Sequence, residues 1–533
     1  MTRSWLHDNT MEANAAGRLR GLAYLSAHPF FRLALPIAIG LAGGLVFVLL
    51  ATNISPILSL GAVGGVAATL LFLRHPTWSL YALALAAPIE RFGRISDDTS
   101  AFNISITRGL GMLALGVLLI DHMVKRKTIR LCPTILLWSA LVTIGLLTLT
   151  YTSDLIPGIK IAGGYVGDIL FLIIIVNVVV ASTAKETFRR VNTCVLLWLV
   201  ASILVALYSI YDWHLGSGQT GGIPLGDVDP QAGAQLAMYR WSTVWVDRAE
   251  MQTLGGETIR RSMGPTSHAA IFGVNLAMTI PFFFYFIRTN ANRWLHAAMW
   301  LGLAASIYCV LLTNTRAALL LLVGVLGLCV VTGLVRVRMW MVLGGLALAV
   351  AAPVLLPVDI FERIFDSKNY LPSNSQAMSI RIDYWGSGLR AFADQWLLGQ
   401  GLANEHVVLE FLRNPIPGKS HMHNIYLQTL VDVGVIGWPI FIAFLARIVY
   451  VCVRGRSWYR RLEAPTEYWF MTAGLILVVA VLVFGLQVDV FYFPLKGWWL
   501  IIGLLLVMFQ LARQRTIAAG WDKGHLVGGE FER

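Results

Sequence analysis

The chain returns repeatedly to runs of roughly 20 apolar residues without a charge, the length that crosses the hydrocarbon core of a bilayer. Lipid offers no hydrogen-bond partner to a bare backbone. Because the runs are unbroken rather than alternating, they predict helices and exclude a barrel. Composition supports the same reading, with 57% of residues hydrophobic and 13% charged, a balance foreign to soluble domains. The expected fold class is all-α: a polytopic transmembrane helical bundle of about 12–14 helices.

Walking along the chain, the crossings fall at residues 34–51, 56–73, 76–89, 110–122, 134–152, 159–181 and 193–211. A second set follows at 267–287, 294–313, 317–334, 340–356, 425–448, 468–490 and 498–511. The third and fourth are short. With residues 1–33 on the inside, every short inside connection carries positive charge: Arg74, Lys125 to Lys127, Lys185 with Arg189 and Arg190, Arg288 with Arg293, Arg336 with Arg338, and Arg454 through Arg461. That asymmetry is what the positive-inside rule requires, and the opposite orientation violates it at nearly every turn.

Residues 1–33, with Arg3, Asp8, Arg18 and Arg20 ahead of any apolar run, lack a cleavable signal's hydrophobic stretch and small-residue site, and are expected to stay cytoplasmic. Residues 34–511 form the expected membrane domain and 512–533 a cytoplasmic tail. Two long external loops stand out, 212–267 and 358–424, the second partly helical; long loops of this kind usually carry function. The net charge of +12 does not indicate nucleic acid, because the basic residues flank the apolar runs and meet lipid headgroups. None of the five cysteines, Cys132, Cys194, Cys309, Cys329 and Cys452, falls in a large polar loop, so packing rather than a disulfide framework is their expected role.

Several residues could carry chemistry. Residues 376–398 read as a helix that places Arg381 on one face with Trp385, Leu389, Phe392 and Trp396, while Asp383, Arg390 and Asp394 gather opposite. Arg381 either points into a cavity toward an anionic ligand or snorkels from the helix start. Arg316 lies in the very short external turn Thr313-Asn314-Thr315-Arg316-Ala317, at or just below the membrane surface. There it either meets a helix C-terminal carbonyl or offers its fork of donors to phosphate.

His421 and His423 stand at the entrance of the twelfth crossing. Two positions apart, they would splay by about 200° on a helix, which suits a catalytic base better than a metal pair, although an interfacial histidine can also simply bond backbone or headgroups. In the first loop, Arg240, Arg248, Arg260 and Arg261 interleave with Trp241 and Trp245. Such a mixture suits sugar and phosphate, but for any single residue membrane anchoring is the more ordinary reading. Asp97 and Asp98 read as solvated loop acids.

The stretch His423-Asn424-Ile425-Tyr426-Leu427-Gln428-Thr429-Leu430, followed by Val431-Asp432-Val433-Gly434-Val435-Ile436-Gly437, resembles the signature of the O-antigen ligase and polymerase family. Asn314-Thr315-Arg316-Ala317 resembles that family's short Ser/Thr-Arg turn, and Ser379-Ile380-Arg381 followed by Trp385 adds to the likeness, which covers roughly residues 265–450. The resemblance implies transfer of a glycan from an undecaprenyl-diphosphate carrier to a hydroxyl acceptor on the periplasmic face of a bacterial inner membrane, by an inverting, metal-independent route with no cofactor. It implies His423 as general base, Arg316 and Arg381 as ligands of the diphosphate, and Arg261 and Asn424 as further substrate-binding residues. The acceptor implied is a glycan repeat unit or lipid A core, in O-antigen or exopolysaccharide assembly, with a chain-length regulator as a further partner.

Polymerase and O-antigen ligase are not separable at this level, and a protein O-oligosaccharyltransferase is a third reading. A lipid-linked oligosaccharide flippase or other transporter is the alternative of a different class. Transporters usually show internal repeats and broken midplane helices, and no repeat between the halves is visible here.

Overall fold

The computed structural model describes residues 56–89, 106–215, 250–254, 257–266, 269–336, 367–410, 422–488 and 495–520. The chain divides into two compact units, Met1–His75 and Pro76–Arg533. In the first, the described element is α1 (Pro56–Arg74), apolar throughout and ending on a basic residue.

In the second unit the helices are α2 (Pro76–Ala86), α3 (Ile106–Lys125), α4 (Pro133–Thr148), α5 (Leu155–Val178) and α6 (Ala184–Leu215). A hairpin of β1 (Glu250–Leu254) and β2 (Glu257–Arg261) pairs Glu250 with Arg261. Then come α7 (Ala269–Thr289), α8 (Arg293–Leu312), α9 (Arg316–Val331), α10 (Ser367–Asp394), α11 (Glu405–Glu410), α12 (Ile425–Arg461), α13 (Pro465–Phe484) and α14 (Lys496–Ala518).

The fold is a helical membrane bundle, as the apolar runs require. Among the described residues, α3, α5, α6, α7, α8, α12, α13 and α14 are long and apolar enough to cross a membrane. Two corrections come with the coordinates. The third expected crossing is the 11-residue α2, about 16 Å long at 1.5 Å per residue and too short to span by itself. The first large loop contains a two-stranded hairpin, where no strand was expected. The expected crossings at 34–51 and 340–356 lie outside the described residues, as does most of the first loop.

Helix α7 is the central strut. It packs on α6, α8, α9 and α13, and almost all of its side chains are buried. Phe470 of α13 meets Phe282 and Tyr285 of α7 edge-on at 5.7 Å, and the Arg288 guanidinium lies 3.6 Å over the Trp469 ring. These contacts join the end of α7 to the start of α13, so the two helices run antiparallel. The start of α7 therefore shares one end of the bundle with the close of α13. Gly273 lets α7 approach Ala318 at the start of α9, and Ile425 N donates to Gly485 O at 2.9 Å, which places the start of α12 at that same end.

The opposite end is where cations collect. Arg189 and Arg190 both pair with Glu186, Arg515 with Glu467 at 3.0 Å, and Arg288 Nη1 donates to Leu334 O at 2.9 Å. Between the two ends lies the aromatic core, in which Trp138 sits 4.9 Å from both Phe444 and Trp499.

Candidate functional site

The site is organised by a break in α12. Residues Ile425–Arg461 run as one helix except at Gly434, whose φ of 61° and ψ of −166° leave the helical region. A break inside a membrane helix frees backbone donors and acceptors that lipid cannot satisfy, so it survives only where other protein covers it. Here the chain after α10 supplies the cover. Gln400 N donates to Val431 O at 2.7 Å and Gly401 N to Asp432 O at 3.0 Å, while Val435 N donates to Trp396 O at 3.0 Å. The approach demands glycine on both sides. Gly399 has φ of 77°, and a Cβ there would lie 2.6 Å from Gly434 N; a Cβ on Gly434 would collide with Leu397 O.

Segment 396–404 thus runs from the end of α10 across the break and onto the end of α4. Tyr151 Oη donates to Leu398 O at 3.0 Å, Leu402 N donates to Thr148 Oγ1 at 3.1 Å, and Thr152 Oγ1 donates to Leu402 O. Beneath it, Asp432 is 2% exposed and its Oδ1 accepts from Asn404 Nδ2 at 2.7 Å and Gln428 Nε2 at 2.8 Å. Gln428 Nε2 also lies 3.3 Å from Asn404 Oδ1. Sequence reasoning assigned these residues no role. The available signal was an acid and an amide on one face of an otherwise apolar helix, since an ionisable group inside a membrane helix marks a site by default.

His423 lies directly before this helix, partly exposed, with φ of 52°. A non-glycine residue in the left-handed region is held there by its surroundings, at a cost of about 1–3 kcal/mol. Two neighbours hold it. On one side, Asn424 is the N-cap of α12, its side chain accepting from Tyr426 N and Leu427 N at 3.1 Å. On the other, Met422 O accepts from Trp385 Nε1 of α10 at 2.8 Å.

Trp385 is one helical turn after Arg381, so the bond that fixes the residue before His423 also fixes the helix carrying Arg381. A small apolar core seats that helix: Tyr384, Ala391, Val408, Met422 and Val431 are all buried in it. Burial pushes the Tyr384 phenol up, which leaves it a donor rather than a base near neutral pH.

Arg316 is the first residue of α9 and exposed, behind a turn in which Asn314 takes φ of 47°. Arg261, at the end of β2, is 5% exposed and lies against that turn: its Nε donates to Thr313 O at 3.2 Å and an Nη to Thr315 Oγ1 at 2.6 Å. Ser262 N donates to Leu312 O at 3.0 Å. The structure therefore joins the five expected residues in two groups. Arg381, His423 and Asn424 are linked through Trp385 and Met422; Arg261 and Arg316 share the α8–α9 turn. Both groups stand at the end of the bundle away from the clustered cations. His421 lies outside the described residues.

The Asn424 side-chain oxygen caps α12. Among the described residues, no three His, Cys, Asp or Glu side chains are grouped at metal-ligand spacing.

Residues 301–442 match the family model described as O-Antigen ligase. The matched segment holds Arg316, Arg381 and His423, and leaves Arg261 outside it. No curated protein matches the chain.

Proposed function

We propose that this chain is an O-antigen ligase/polymerase-type membrane enzyme that moves a glycan from an undecaprenyl-diphosphate carrier to a hydroxyl acceptor, with His423 as general base; the match over residues 301–442 supports the reading. The observation that carries the reading is the join between α10 and α12. One hydrogen bond from Trp385 to Met422 brings the helix of Arg381 to a histidine held in a left-handed backbone conformation.

In this scheme the acceptor O–H gives its proton to the His423 imidazole as its oxygen attacks the anomeric carbon. The bond from that carbon to the diphosphate oxygen breaks on the opposite face, which inverts the centre. The leaving diphosphate keeps the electron pair, and its charge is met by guanidinium groups of Arg316 and Arg381, whose planar forks bind phosphate oxygens in pairs. Arg261 bonds two oxygens of the turn and so holds Arg316 at its station. Asn424 fixes the backbone that aims His423.

Sidedness follows from charge. The clusters at Lys125 to Lys127, at Arg189 with Arg190, and at Arg454 to Arg461 belong to the end opposite His423, and basic residues remain cytoplasmic. The His423 end then faces the periplasm, where a lipid carrier keeps its tail in the bilayer and presents its headgroup to the arginines.

The test is transfer by purified protein in detergent, with a defined diphosphate-linked donor and either repeat-unit or lipid A core acceptors. Positioned acid–base catalysis contributes about two to four orders of magnitude, so His423→Ala is expected to lose at least a hundredfold in kcat at unchanged expression. Wild-type product from that variant removes His423 from the mechanism, and the absence of transfer by the parent protein with any donor favours the transporter reading.

A further inference from the structure

Asp432 lies two turns into α12, below His423 and out of reach of solvent. A carboxylate at such a depth is costly unless donors surround it, and two amide side chains do so. The two donors come from different places. Gln428 belongs to the start of α12 itself, one turn after Asn424, whereas Asn404 belongs to the segment that extends from α10.

That segment is continuous with the helix of Arg381. Gln400 Nε2 donates to Ala391 O in the last turn of α10 at 2.6 Å, and Gly399 N donates to Gln395 O at 2.9 Å. Asn404 Nδ2 donates to Gly401 O at 2.9 Å as well as to Asp432. A single carboxylate oxygen is therefore the point where the extension of α10 and the start of α12 are tied together, beside the backbone pairing at Gly434. Asp432 also lines a small cavity with Trp138, Tyr165, Leu402 and Phe441, so it has room on one side.

We propose that Asp432 is a positioning residue of the transfer reaction: by holding Asn404 and Gln428 it sets the placement of α10, and with it Arg381, relative to His423. The link to catalysis rests on the function proposed above; the link between the two helices does not. A shift of about 1 Å in a substrate-holding group costs up to about a hundredfold, the range to expect if the tie is lost.

The two links are tested separately on the full chain in membranes. Gly388 of α10 faces Met422 so closely that a Cβ there would touch the Met422 sulfur, so a Gly388→Cys/Met422→Cys pair reports whether α10 sits on the start of α12. The five native cysteines are buried and leave this readout clean. Adding Asp432→Ala is expected to lower cross-linking at least threefold. Adding Asp432→Asn, whose oxygen can accept from the same two amides, is expected to restore it. On an otherwise native background, Asp432→Ala is expected to lower kcat between about tenfold and a hundredfold and to raise KM for the lipid donor, with Asp432→Asn close to the parent.

Asn404→Ala attacks the same tie from the other side and keeps the question open to disproof where Asp432→Ala fails to fold. Cross-linking that survives both alanine variants overturns the proposal, as does an Asp432→Asn variant as damaged as Asp432→Ala, or transfer kinetics that neither alanine variant changes. Failure of the proposed function itself is read elsewhere, as full transfer by His423→Ala.

Discussion

Helix α12 is built differently on the two sides of Gly434. After it, Phe441, Phe444, Ile448, Cys452 and Tyr459 are buried in one continuous apolar core, to which the Tyr459 hydroxyl adds a bond to Met508 O at 2.8 Å. Before it, Gln428 and Asp432 are just as deeply buried, yet they face amides and backbone from a segment some 30 residues earlier in the chain. The first arrangement is held by close packing, which tolerates changes of hydrogen bonding and resists changes of volume. The second is held by paired polar groups, each weak alone and costly to leave unpaired. The helix thus combines a rigid anchor with a polar platform that carries His423, and the two halves should fail in different ways.

The largest expected effect is at the boundary. In Gly434→Val the new side chain must occupy the space of Leu397 O at a φ that a β-branched residue does not adopt. The pairing of residues 396–401 with the break cannot persist, and the freed backbone groups have no solvent. Loss of about 3 kcal/mol or more is expected, together with loss of transfer, read by the melting temperature in detergent and by product formation. A Gly434→Val protein that melts with the parent shows that the break is incidental, and the comparison fails.

Phe444→Ala should separate the halves. The ring lies between Trp138 at 4.9 Å and Trp499 at 6.0 Å, fully buried, so its removal leaves a cavity and costs about 3–5 kcal/mol of stability. Transfer per folded molecule should remain near the parent below the melting transition. A selective loss of kcat with unchanged melting would mean that the anchor half also takes part in the reaction.

What was legible beforehand divides along the same boundary. Apolar runs announce crossings because length and hydrophobicity are local, and the helix of Arg381, read at residues 376–398, is observed at Ser367–Asp394. Val431-Asp432-Val433-Gly434-Val435 gives no such local sign. Its glycine sits in an apolar run where a packed, straight helix is equally plausible from sequence, and only the arrival of Gly399 and Leu397 from far away makes the break necessary. Asp432 carries the general mark of an acid in an apolar helix, but its partner is not legible: Asn404 is unremarkable until it stands 2.7 Å from that carboxylate. The cap at Asn424 is legible in the sequence. An asparagine immediately before a helical run is a capping signal, and that is how its oxygen is used.

Trp385→Phe probes the platform at its contact with the catalytic candidate. The ring and most of its packing remain, while the donor to Met422 O is lost, at a cost of about 1 kcal/mol. Since that bond holds the residue before His423, the loss should show in transfer more than in melting: roughly a fivefold fall in kcat, the rate equivalent of about 1 kcal/mol. Trp385→Ala, which also strips packing from the small core beneath α10, should lower both. Equal melting and equal kcat for Trp385→Phe would mean that the bond to Met422 O does not help to hold His423.

Tyr151→Phe should produce the smallest change, and its size calibrates the rest. The Tyr151 hydroxyl donates to Leu398 O at 3.0 Å from the end of α4, on the outer side of the inserted segment, and the side chain is 40% exposed. Removing the hydroxyl leaves the ring in place and leaves Leu398 O with access to water, so the penalty of an unpaired buried acceptor is avoided. The expected loss is at the low end of the usual range for a hydrogen bond, about 0.5 kcal/mol, with transfer within a factor of two of the parent. Thr148 and Thr152 tie the same segment to the same helix end at Leu402, so the seat survives one missing contact. If Tyr151→Phe instead costs as much as Trp385→Phe, the segment is held mainly by α4 rather than by the break in α12, and the polar platform would have to be redrawn around that helix end.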